Sequence, residues 1–96
     1  MIRVTVTYPT SEGSTFDHDY YKATHVPLCL STWTAAQSAS IDKGVTGPNA
    51  AAVHFTFESM EAFGAAMGSE GTAAVMADVA NYTNITPVMQ ISEIVS

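Results

Sequence analysis

Three side chains able to handle protons recur every four residues: Asp17, Tyr21 and His25. On a helix that spacing places them on one face, where a carboxylate, a phenol and an imidazole can meet one ligand. Histidine changes charge near neutral pH and suits general acid–base chemistry. A tyrosine hydroxyl can hydrogen-bond a carbonyl or enolate oxygen. His25 is followed by Val26-Pro27, and the residue before a proline disfavours helical angles. A helix break is therefore expected at His25-Val26-Pro27, with the imidazole turned out of the helix line into a cleft. A plainer role fits the same residues, because a histidine beside a proline often ties a loop.

The remaining candidates are weaker. His18 reads as an exposed helix residue, and His54 as a packing or interface residue on a strand face. Cys29 stands alone in an apolar stretch. It has no activating partner in sight and reads as a buried, inert thiol. There is no cysteine pair, no His-Glu-x-x-His and no phosphate loop, since Gly68-Ser69-Glu70-Gly71 lacks the required Lys-Ser/Thr. Nothing in the spacing favours a metal site, and no cofactor is expected. Haem held through His25 is a minor variant, since a proximal histidine is the one ligand it needs.

The elements that position these residues follow from periodicity. Ile2, Val4, Val6 and Tyr8 alternate with Arg3, Thr5 and Thr7, which is a half-buried strand. Pro9 to Ser14 is turn-rich, and Thr15 is placed to cap a helix over Phe16 to Thr24. Leu28, Leu30 and Trp33 make a second helical piece. A weak edge strand is expected within Thr34 to Val45, and a clear strand over Ala50 to Phe57. Ser59 caps a helix that Gly68 stops. Ser69 to Ala80 is a further helical stretch, and Val88 to Val95 the last strand. Met60, Met67 and Met76 read as core filler.

The order strand, helix, strand, strand, helix, strand is the ferredoxin-like β-α-β-β-α-β arrangement of the α+β class, an antiparallel sheet with helices on one face. Ile2, Val4, Val6, Val53, Phe55 and Met89 are expected to face the helices. Arg3, Thr5, Thr7, His54, Thr56 and Gln90 take the other face. The 96 residues make one domain, 1–96.

Composition bounds the function. Hydrophobic residues are 47% and charged residues 12% of the chain, about half the usual charged share, which excludes a disordered tail. Three Lys and Arg against nine Asp and Glu give −6, with no basic stripe for nucleic acid or an anionic membrane. The alternating N-terminus is no signal peptide, and no run of about 18 apolar residues is present. A cytoplasmic protein is expected. So few charges also suggest that another subunit covers part of the surface.

The motif Phe16-Asp17-x-Asp19-Tyr20-Tyr21-x-x-x-His25-x-Pro27-Leu28 resembles the opening motif of EthD-type proteins. Phe57 to Phe63, Asp78-Val79-x-Asn81-Tyr82-Thr83-Asn84 and Pro87 to Glu93 are similar as well. The resemblance covers nearly the whole chain, with 34 to 49 least distinctive. It implies a dimeric α+β barrel, in which two ferredoxin-like chains pack sheet on sheet and each keeps a cleft between sheet and helices. His25 and Tyr21 match the motif histidine and tyrosine. The function implied is action on a hydrophobic small molecule, a carbonyl, phenol or lactone, as a cofactor-independent isomerase, cyclase or oxygenase. In that case His25 is the acid–base, Tyr21 and Asp17 orient it or the substrate, and Trp33, Phe55, Phe57 and Phe63 form the apolar wall. The alternative is a non-catalytic ligand-binding or accessory module.

Overall fold

The computed structural model describes residues 1–95. Four antiparallel strands lie in the order β2-β3-β1-β4, formed by Ser38–Lys43, Asn49–Phe57, Ile2–Pro9 and Val88–Glu93 respectively. Between β1 and β2 run α1 (His18–Tyr20), a π-helical turn (Tyr21–His25) and α2 (Val26–Thr32). Between β3 and β4 run α3 (Met60–Met67), α4 (Thr72–Asp78) and a 3₁₀ turn (Val79–Asn81). The ferredoxin-like order expected from the strand pattern is present.

The register sorts the two sheet faces. Val4 pairs with Phe55, Val6 with Val53 and Met89, and Val4 with Ile91, so these side chains share the helix side. Arg3 pairs with Thr56, and Thr5 with His54 and Gln90, on the opposite side. The core therefore sits between one sheet face and the helices, built on Val4, Val53, Phe55, Phe57, Tyr21, Trp33 and Val75. Burial of such large apolar side chains is the main driving force for the fold.

The outer face carries small polar residues and a relay across three strands. The Asp42 carboxylate lies 2.8 Å from His54 Nε2, and His54 Nδ1 lies 3.1 Å from Thr5 Oγ1. His54 is thus satisfied on both ring nitrogens by its strand neighbours.

Three expectations need correction. Thr15 is not the helix cap; Asp17 is, and its side chain accepts from the Tyr20 N–H at 3.1 Å. The helix does not break at His25-Val26-Pro27. Both His25 and Val26 keep right-handed helical angles, and the Val26 N–H reaches back five residues to Tyr21 O. Pro27 lacks an N–H, and in a regular α-helix its ring would clash with the carbonyl four residues earlier. Widening the preceding turn to the π form accommodates the proline and keeps the helix going. Finally, Met60 and Met76 are exposed, so only Met67 of the three methionines packs against the core. Met89 and Ile91 are also exposed, although they lie on the helix side, because the helical layer stops short of the edge strand β4.

Candidate functional site

The π turn sets the site. It carries Tyr21 at its start and His25 at its end, and both are buried, at 1% and 4% exposure. Their rings stack at 5.5 Å with an interplanar angle of 17°. Such single π turns recur at functional positions. The imidazole stays in the helix line and points into the core.

What meets the imidazole is a carboxylate from the far end of the chain. Asp78 ends α4, and its Oδ2 lies 2.9 Å from His25 Nδ1. Asp78 Oδ1 accepts from the Tyr20 hydroxyl at 2.7 Å and from Asn81 Nδ2 at 2.9 Å. Burial pushes the Asp78 carboxyl up. The hydrogen bonds from Asn81, Tyr20 and His25 outweigh that push and hold it below its ordinary value. An ionised carboxylate only accepts, so Nδ1 carries a proton, and in the neutral imidazole Nε2 keeps its lone pair. Among the described residues no protein group bonds to Nε2.

An aromatic cluster fixes the rest. The 82–84 segment is laced to the entry of α1: Asp17 N–H donates to Tyr82 O at 2.8 Å, and Thr15 N–H to Asn84 Oδ1 at 2.8 Å. This brings the Tyr82 ring to 4.6 Å from His25. Tyr82 and Tyr8 hydroxyls share a buried hydrogen bond of 2.7 Å. Burial first, then the neighbouring Tyr8, raises the Tyr21 phenol far above its ordinary range, so it stays a hydrogen-bond donor. Burial likewise pushes the Cys29 thiol up to about 12, which keeps it protonated and inert.

Beneath His25 and Tyr21 lies a cavity of about 220 Å³ between sheet and helices. Trp33, Phe55, Phe57 and Phe63 all line it, as the apolar wall expected from the sequence. Trp33 is held by a 2.9 Å hydrogen bond from Nε1 to Thr72 Oγ1. Met76, Pro87 and Met89 line the cavity toward the uncovered edge of β4, and the two methionines are 48% and 43% exposed. His25 and Tyr21 are therefore together at one cavity. Asp17 is not: it is exposed, caps α1, and belongs to a separate open groove with Thr15 and Asn84. The carboxylate on the imidazole is Asp78, which sequence reasoning missed. Its signal was a single acid in the apolar stretch Ala73 to Ala80. Tyr82 was missed as well. His18 is half-buried, its ring 4.7 Å from Phe16, rather than free in solvent. Among the described residues no three His, Cys, Asp or Glu side chains converge as metal ligands do.

The family model of the EthD domain matches residues 11–86, a span that includes Tyr21, His25, Asp78 and Tyr82. The chain belongs to the EthD family. An EthD-like protein from Ralstonia eutropha JMP134 is 41% identical, with 99% of this chain and 92% of that one covered and a TM-score of 0.90. An ethyl tert-butyl ether D (EthD) family protein from Bacillus halodurans C-125 is 17% identical over 99% of each chain, with a TM-score of 0.77. A putative antibiotic biosynthesis monooxygenase from Nitrosomonas europaea shares the fold at 10% identity and a TM-score of 0.65, over 100% of both chains. No curated protein matches the sequence.

The carboxyl network of this EthD chain has a pH signature. The folded value of Asp78 is depressed below its ordinary 3.8. Its contribution to stability is therefore present above that value and is lost as pH falls through the lowered one. In urea denaturation, the stability gap between wild type and Asp78→Asn is expected to narrow as pH drops below about 4. A gap that stays flat or widens there would contradict the assigned hydrogen bonds.

Proposed function

We propose that this EthD-family protein is an enzyme that moves a proton on a hydrophobic small molecule, with His25 as general acid–base. The observation that supports it is the carboxylate of Asp78 on Nδ1 of a histidine set at the edge of an apolar cavity. In the proposed step, Nε2 takes a proton from carbon next to a carbonyl. The Nδ1–H stays on the ring and donates to Asp78 Oδ2, whose negative charge favours the imidazolium that forms. In that step the Tyr21 hydroxyl turns from Tyr8 to donate to the carbonyl oxygen as it gains charge. Return of the same proton to a different atom completes an isomerisation or a ring closure, with no cofactor needed for the balance. Haem does not suit the site: Nε2 is a suitable ligand atom, but a cavity of about 220 Å³ is too small for a macrocycle.

The test is hydrogen–deuterium exchange of the α-hydrogens of 2-indanone in D₂O, followed by NMR. Wild type is expected to accelerate exchange, and His25→Gln to remove about a hundredfold or more of that acceleration. Acceleration unchanged in His25→Gln would overturn the role of His25. Binding without any exchange by the wild type would instead favour the ligand-binding accessory module.

The proposal extends to assembly as a homodimer through the outer sheet face. That face is built largely of small residues and carries only Arg3 and Asp42 as formal charges. A dimeric protein from Bacteroides fragilis shares the fold, at 6% identity and a TM-score of 0.64. Sedimentation at micromolar concentration is expected to give a dimer, and Ser40→Arg, midway along the edge strand β2 on that face, to shift it toward monomer. A monomeric wild type would contradict the assembly.

A further inference from the structure

We infer that the cavity selects neutral ligands, of about one ring with a short substituent, over carboxylates, phosphate esters and ammonium ions of equal size. The inference rests on the proposed ligand-binding role of the cavity and deepens it.

The chain has three cations, Arg3, Lys22 and Lys43. Arg3 projects from the outer sheet face, and Lys22 and Lys43 are exposed. None lines the cavity, and no Asp or Glu lines it either. The polar atoms that remain available are few. Trp33 Nε1 is taken by Thr72, and the Tyr8 hydroxyl by both Tyr82 and Tyr21, which leaves His25 Nε2. In the neutral imidazole that nitrogen is an acceptor, a match for the acidic hydrogen beside a carbonyl or for a hydroxyl.

An ion finds no partner there. A carboxylate moved from water into an apolar site without a cation meets a large desolvation penalty. A protonated His25 does not rescue it, because Asp78 already matches that charge and a bound carboxylate would place two anions on one cation. An ammonium ion fares no better, since both Asp78 oxygens are occupied, Oδ1 by Tyr20 and Asn81 and Oδ2 by His25. The approach is uncharged as well. Met76, Pro87 and Met89 line the open side, and methionine adapts its shape to an apolar ligand without adding charge. At longer range the net −6 repels anions.

Size follows from volume. An apolar cavity of about 150 Å³ takes benzene, so one of about 220 Å³ takes about nine non-hydrogen atoms in proportion.

Three probes of about nine non-hydrogen atoms each separate the charge classes: acetophenone, benzoate and 2-phenylethylammonium. Trp33 is the one tryptophan of the chain and lines the cavity, so its fluorescence reports occupancy, with ligand-observed NMR as a second readout. Acetophenone is expected to bind at least about tenfold more tightly than either ion. Met76→Arg, at the exposed rim, is expected to raise benzoate affinity about fivefold or more. Benzoate or the amine binding wild type as tightly as acetophenone would overturn the inference, as would no gain in Met76→Arg. Binding is read without turnover, so loss of selectivity leaves the role of His25 standing. Absent exchange chemistry likewise leaves the selectivity standing.

Discussion

The hydrogen bond between Asp78 Oδ2 and His25 Nδ1 joins two helical segments 53 residues apart and gives the imidazole its direction. Without it, a buried histidine in an aromatic surround would be free to present either nitrogen to the cavity. With it, the proton is on the Asp78 side and the lone pair is on the other. The surrounding structure serves that bond. Tyr20 and Asn81 hold the second carboxylate oxygen, and Asn81 comes from the 3₁₀ turn that continues α4. The π turn brings His25 under Tyr21, and the Tyr82 ring closes the other flank.

The cavity works against stability. A well-packed domain of this size has little reserve, and space left unfilled between sheet and helices forfeits dispersion contacts. The wall stays open because its residues are held by other partners. Trp33 is anchored to Thr72 and sits edge-on to Phe55 at 5.7 Å, and Phe57 sits edge-on to Phe63 at 5.5 Å. Those contacts hold the wall in place, while Met76 on α4 and Met89 on β4 stand half-exposed at the rim.

Much of the fold was legible in the sequence, for a physical reason. Strands β1 and β3 alternate cleanly, so Val4, Val53 and Phe55 declare the covered face and Thr5 and His54 the open one. Ser59 caps α3 as a hydroxyl before an apolar helix should, accepting from the Ala62 N–H. The helix through Pro27 was not legible, because proline's local preference was overruled by a widened turn and by burial of Val26 and Cys29 on either side of it. The site was half legible. Spacing on one segment put Tyr21 with His25, but it also proposed Asp17, which the helix terminus claims as a cap. Asp78 reaches His25 only because α4 packs beside α2, a tertiary contact no local pattern encodes. The exposure of Met76 and Met89 has the same origin, since it depends on where the helices stop over the sheet.

The central claim is that Asp78 fixes the tautomer of His25, with Nδ1 protonated and Nε2 facing the cavity as a base. Long-range ¹H–¹⁵N NMR of the imidazole in its neutral form tests this directly, because the two nitrogens resonate far apart when one is protonated and the other is not. The Nδ1–H tautomer is expected in the wild type, with loss of that preference in Asp78→Ala. A neutral His25 protonated at Nε2 in the wild type would contradict it.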